Sequence, residues 1–379
     1  MTRITTFKDT KPHFNILDGL RGAAALMVVW YHVFEGFAFA GGSAITTFNH
    51  GYLAVDFFFM LSGFVISYAY DSRWGKKGEL LSFFKRRLIR LHPMVIMGAT
   101  IGTITFLIGG SLKWDGTQTQ PLWILAALLM GILLIPAYPG AGYDVRGNGE
   151  MYSLNGPSWS LFFEYMGNIM YALFIRKLSG RGLGILTAIM GILLGWYAIT
   201  DISTYGMIGV GWTLDAVNFF GGFIRMMFPF TLGMLICRNF KPCRAPKGIF
   251  WIASAALFAI FSVPYIPACG DICLNGVYEI VCIAIIFPVI LWLGASAATG
   301  TKDTASDKAC NFLGELSYPL YIVHYPIMYL FYQWLIKEKI YTIGECWPVV
   351  VGIMVLCVTL AYACLKLYDL PVRKWLSRR

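Results

Sequence analysis

Long, unbroken apolar runs constrain this chain more than any other feature. Roughly 20 residues cross a hydrocarbon core of about 30 Å. By that measure the sequence holds eleven segments, at about 17–40, 51–70, 93–110, 122–138, 158–175, 183–200, 219–237, 249–267, 276–295, 313–335 and 347–366. Inside lipid no water satisfies a backbone amide, so each run must close its own hydrogen bonds as a helix. The runs are continuous rather than alternating, which excludes a membrane β-barrel. With 58% hydrophobic and only 13% charged residues, the chain lacks the polar surface of a soluble domain. The expected class is all-α, a polytopic transmembrane helix bundle. A net charge of +10 would suit nucleic acid, but this hydropathy argues against such a partner.

The positions of the charges orient the bundle. Arg3, Lys8 and Lys11 precede the first segment, and residues 71–92 hold seven basic residues against Asp71 and Glu79. Arg176, Lys177 and Arg181 follow the fifth segment. Arg238, Lys241, Arg244 and Lys247 follow the seventh, and Arg373, Lys374, Arg378 and Arg379 close the chain. The loops 201–218 and 268–275 carry Asp201, Asp215 and Asp271 but no lysine or arginine. Basic loops stay in the cytoplasm, and that holds here only if residues 93–175 cross twice. The expectation is ten crossings with both termini cytoplasmic, the short segment 122–138 being re-entrant or interfacial. Three parts follow: a cytoplasmic segment 1–13, a membrane domain 14–367 and a basic tail 368–379. The polar N-terminus does not read as a signal peptide. Among nine cysteines no metal-ligand spacing is visible; Cys269, Cys273 and Cys346 fall on the outer side, where unpaired thiols are favoured over a disulfide.

Ionisable residues inside apolar segments are costly and usually functional. Arg21 and His32 are eleven residues apart, which leaves them about 20° apart around a helix and about 16 Å apart along it. Asp18 and Glu35 flank them on much the same side. Asp56 and Ser62 interrupt the second segment, and Ser160, Glu164 and Asn168 recur at i, i+4, i+8 in the fifth. Glu315, Ser317, Tyr321 and His324 lie in "LGELSYPLYIVHYPI". Each has a bland explanation, from a snorkelling arginine paired with Asp18 to hydrogen-bonded glue between helices. Together they suggest a lined cavity.

These stretches also carry a resemblance. "LDGLRGAAALMVVWYHV", "GYLAVDFFFMLSGFVIS", "FFKRRLIRLHP", "SWSLFFE" and "LSYPLYIVHYP" are similar, in that order, to blocks of the acyltransferase-3 family of integral membrane acyltransferases. The likeness runs from about residue 14 to 330 and is that of a stand-alone member without a fused periplasmic domain. It implies transfer of an acyl group, commonly acetyl, from cytoplasmic acyl-CoA to a hydroxyl of a surface glycan or lipid-linked saccharide. It places the chain in a bacterial inner membrane, among membrane lipids, with no metal.

That chemistry assigns roles. A sugar hydroxyl needs a base as it attacks a thioester, and histidine suits the task, so His32 is expected to be the general base. Glu164 ranks first as its partner, Asp56 second, with Glu35 the third candidate. Ser160 is expected to donate to the developing oxyanion, an acylated Ser160 being the alternative. Arg21 is assigned to the donor's phosphates or thioester channel, since arginine's planar fork suits phosphate. Arg87 and Arg90 are candidates for the CoA nucleotide, whereas Lys85 and Arg86 read as lipid-facing. His324, Tyr321 and Trp159 are expected along the substrate path. The rival function is a transporter or flippase of a glycan or lipid, which also carries central polar groups and broken helices.

Overall fold

A computed structural model describes residues 13–41, 49–74, 78–297 and 304–378. Arg3, Lys8, Lys11 and Arg379 lie outside them. Among the described residues regular structure is entirely helical: α1 (Asn15–Gly41), α2 (Ala54–Tyr70), α3 (Glu79–Ile108), α4 (Pro121–Leu133), α5 (Ser158–Leu173), α6 (Gly180–Ile199) and α7 (Ala216–Arg238). They are followed by α8 (Ile249–Phe261), α9 (Leu274–Val281), α10 (Phe287–Ala297), α11 (Thr304–Glu338), α12 (Ile343–Cys364) and α13 (Leu370–Ser377). A π turn, Cys282–Ile286, joins α9 to α10, and another, Leu365–Asp369, joins α12 to α13. The boundary expected at 367 therefore falls inside one continuous helix.

Seven of these helical units are long and apolar enough to cross a membrane. Their outward positions bear large apolar side chains such as Ile108, Ile192, Ile285 and Leu367, the surface a hydrocarbon solvent favours. The chain is thus built as an integral membrane protein. α4 has 13 residues, about 20 Å at 1.5 Å per residue, short of a full crossing. α8 is also 13 residues, because helix ends at Phe261 where 249–267 was expected to continue. Length alone therefore does not single out α4. Conversely, α3 begins at Glu79, so the basic stretch before Pro93 is helical.

Helix ends follow local chemistry. The Asp215 carboxylate accepts from the amides of Val217 and Asn218 at 3.0 and 2.9 Å, capping α7. Thr342 and Glu345 form a capping box on α12. Helix crossings depend on missing side chains. A Cβ on Gly63 of α2 would lie 1.9 Å from the Phe230 carbonyl of α7, and one on Gly233 of α7 would lie 2.0 Å from that of Met60. α1 approaches α11 in the same way, through Gly22 against Leu313. At the end opposite the basic α2–α3 connection, the stretches 109–120, 134–157, 200–215 and 262–273 fold into a cap. Isolated bridges such as Glu150–Thr213 and Asn49–Pro264 pin it together.

Candidate active site

The α1–α11 seam gathers the polar stripe of α1. Arg21 donates from Nε to Ser317 Oγ at 2.9 Å, and its Nη2 lies 3.2 Å from Asp18. One helical face further along, His32 Nδ1 lies 2.6 Å from Glu35 Oε2. The hydroxyls of Tyr332 and Tyr325 donate to the same carboxylate oxygen at 2.7 and 3.2 Å. An acceptor-only carboxylate there holds the imidazole proton on Nδ1. Nε2 then carries a lone pair and has no hydrogen bond among the described residues. The His32 ring stands 4.6 Å from that of Tyr325 and 5.2 Å from that of His324. His324 is fully buried; its Nδ1 donates to the Leu320 carbonyl at 3.0 Å and its Nε2 has no partner. Two imidazole nitrogens without hydrogen-bond partners among the described residues thus sit on facing helices.

The ranking of carboxylates needs correction. Glu164 does not engage His32: it accepts from Arg87 Nη2 at 2.6 Å and from Ser62 at 3.1 Å. Asp56 is wholly buried and held by Arg225, whose Nε and Nη2 reach its two oxygens at 2.8–3.1 Å. The partner is Glu35, ranked last, which reaches His32 through a same-helix i, i+3 contact. Ser160 sits against Tyr321, with 2.6 Å between hydroxyls, and also donates to the Pro157 carbonyl at 3.0 Å. Trp159 lies partly buried under the Arg225 guanidinium, 5.3 Å from its ring centre. Tyr321 stands 6.0 Å from the ring of His324. The stripe Ser160–Glu164–Asn168 therefore divides: Ser160 meets Tyr321, Glu164 meets Arg87 and Ser62, and the Asn168 amide is buried without a hydrogen-bond partner among the described residues. A shallow groove runs between α3, α4 and residues 151–158, past Asn155 and Ser158; neither Arg21 nor His32 lines it.

At the basic end, arginines converge on Arg21. Arg87 is buried and paired with Glu164, while Arg90 is exposed and has no ion-pair partner among the described residues. Arg90 and Arg373 of α13 both lie close enough to act electrostatically on Arg21. Arg373 drew no functional reading from the sequence, since it arrives from the far end of the chain. Arg225 was likewise missed, although an arginine in an apolar segment was itself a signal. None of the nine cysteines forms a disulfide among the described residues.

Comparison with known proteins adds a second kind of observation. A family model described as an acyltransferase domain matches residues 14–366. "Protein 2 in picA locus" of Rhizobium radiobacter is 31% identical over 188 residues, covering 48% of this chain and 92% of that protein. "Acyltransferase MdmB" of Streptomyces mycarofaciens is 32% identical over 181 residues, covering 44% of this chain and 41% of that one. "Peptidoglycan O-acetyltransferase OatA" of Listeria monocytogenes is 25% identical over 360 residues, 87% of this chain but 51% of its own length. The chain thus spans about half or less of the latter two relatives. No solved structure matches. A match along nearly the whole helical bundle, with named acyltransferases among the relatives, leads to one assignment: this chain is an enzyme of the acyltransferase-3 family of membrane acyltransferases.

Proposed function

We propose that the chain is a membrane O-acyltransferase that moves an acyl group, acetyl by default, from cytoplasmic acyl-CoA to a hydroxyl of a cell-surface glycan or lipid-linked sugar. The observation that carries this reading is the His32–Glu35 pair, whose Nε2 is left free inside the α1–α11 seam. As the acceptor oxygen attacks the thioester carbonyl, Nε2 takes its proton. Glu35 stabilises the imidazolium that forms. The C–O bond forms, the C–S bond breaks, and the imidazolium returns the proton to the leaving thiolate, giving the ester and free CoA. Ser160, hydrogen-bonded to Tyr321, is assigned to the oxyanion, turning its hydroxyl from the Pro157 carbonyl as the charge develops. Arg21, Arg87 and Arg90, joined by Arg373, form the donor end, where guanidinium forks suit the phosphates of CoA. The separation of about 16 Å between Arg21 and His32 matches a pantetheine arm. His324 and Trp159 lie along the acceptor side of the path.

The test is label transfer. Purified protein in liposomes receives radiolabelled acetyl-CoA and a crude surface-glycan acceptor. Transfer by wild type and loss in His32→Ala is expected. Equal transfer by both removes His32 from the mechanism, and solute uptake without transfer favours a transporter. We also propose ten crossings of a bacterial cytoplasmic membrane, with both termini inside. Native thiols report on this: exposed Cys243 and Cys269 flank α8 and should react with an impermeant maleimide from opposite sides. Reaction from one side only would overturn the topology.

A further inference from the structure

The cap holds a buried cation with no carboxylate in ion-pair contact among the described residues. Arg146 lies between α4 and α5, outside every candidate span, and is 2% exposed. Its Nε donates to the Ser153 carbonyl at 2.8 Å. Its guanidinium lies 3.6 Å over the Tyr329 ring and 5.0 Å from that of Phe106. Among the described residues its terminal nitrogens make no hydrogen bond, and no carboxylate lies within ion-pair distance.

The two nearest carboxyls in sequence are occupied elsewhere. Asp144 turns back onto the amides of Gly147 and Gly149 at 3.2 and 3.0 Å, and Glu150 accepts from the Tyr329 hydroxyl. Burial pushes Glu150 up to about 7 even though the Arg146 charge acts to lower it, so it is a weak counter-ion. Two residues from Arg146, Asn148 Oδ1 is buried with no partner. Arg225 shows what a structural buried arginine looks like in the same chain: its charge meets Asp56, and its remaining donors reach the carbonyls of Tyr52 and Val210 at 2.9 and 3.2 Å. Aromatic faces contribute about 2 kcal/mol to a desolvated cation, less than the several kcal/mol that burying a charge costs. Donors without acceptors, two residues along the chain from an acceptor without a donor, describe a site for something else.

We propose that Arg146 and Asn148 form a subsite for an anionic, hydroxylated group of the acceptor, a sugar carboxylate or sugar phosphate. The guanidinium binds the anion through its terminal nitrogens, and Asn148 Oδ1 accepts from a neighbouring hydroxyl. A line of rings connects this subsite to the reacting centre. Tyr329 stands 4.6 Å from Tyr325, which stands 4.6 Å from His32. The inference rests on the reading that a hydroxyl acceptor reaches His32 from the capped end, and it makes Arg146 a selector of acidic acceptors.

The test is binding, which needs no turnover. Full-length protein in detergent at low salt is titrated with D-glucuronate, glucose 1-phosphate and D-glucose, and binding is followed by calorimetry. Wild type is expected to bind at least one acidic sugar and to bind glucose at least tenfold more weakly. Whichever acidic sugar binds identifies the anion. Arg146→Gln should lose affinity at least tenfold. Should that variant fail to fold, Asn148→Ala supplies the reading, with a threefold or greater loss expected. Equal binding of glucose, or unchanged affinity in either folded variant, overturns the proposal. Transfer without acidic-sugar binding sinks this inference alone, whereas binding without transfer sinks the proposed function alone.

Discussion

Replacing Glu35 by glutamine removes a charge while keeping the side chain's shape, and so isolates what the carboxylate does for His32. Its Oε2 accepts from His32 Nδ1 at 2.6 Å, Tyr332 at 2.7 Å and Tyr325 at 3.2 Å. Both side chains of the pair are only 14% exposed, so water replaces little of what is lost. A hydrogen bond to a charged partner contributes about 1.5–3 kcal/mol. If that contribution is made to the imidazolium formed in the transition state, kcat falls by roughly 10- to 150-fold. The glutamine amide can also turn its NH2 toward Nδ1, which would move the imidazole proton to Nε2 and silence the base. The KM for acyl-CoA should hold, because Arg21 and Arg90 are untouched. Glu164→Gln should do the reverse, freeing Arg87 and changing that KM more than kcat. Initial rates of label transfer in proteoliposomes measure both. A Glu35→Gln enzyme within about twofold of wild type, or one less impaired in kcat than Glu164→Gln, would refute the assignment.

Asp56→Asn should leave Arg225 as an uncompensated buried charge and cost about 3–5 kcal/mol, read as the thermal midpoint in detergent; a loss under about 1 kcal/mol would mean the pair is not ionised. Gly63→Val places a side chain where a Cβ already meets the Phe230 carbonyl at 1.9 Å, so α2 and α7 must part and monodisperse protein should be lost. Gly184→Val, with nothing within 4 Å, should be tolerated, and similar yields for both would discredit the close-packing argument. Glu150 is raised by burial from 4.5 to about 7. Between those values the folded chain keeps a proton that the unfolded chain has released, so stability falls with rising pH through that window and levels off above it. The loss is about 3 kcal/mol. Glu150→Gln should flatten the dependence between pH 5 and 8, and an unchanged slope would show that another group titrates.

What could be read from the chain was whatever one helix decides alone. Each apolar run must become a helix in lipid, whatever it packs against. Periodicity fixes Arg21 and His32 on one side of α1, and the arginine-rich stretches mark one end of the bundle. Glu35 was legible by the same rule, since i, i+3 is a local relation, but a family block drew the choice toward Glu164. Contacts between helices were another matter. Ser62, Arg87 and Glu164 come from α2, α3 and α5, and Asp56 meets Arg225 across 169 positions of sequence. Such pairs depend on which helices touch and at what height, and that is set by the reciprocal glycines of the crossings rather than by either partner's neighbours. The cap is further still from local reading. Residues 134–157 form no regular element, and Arg146 is conspicuous only once Tyr329 of α11 lies beneath it and every nearby carboxylate has found another donor.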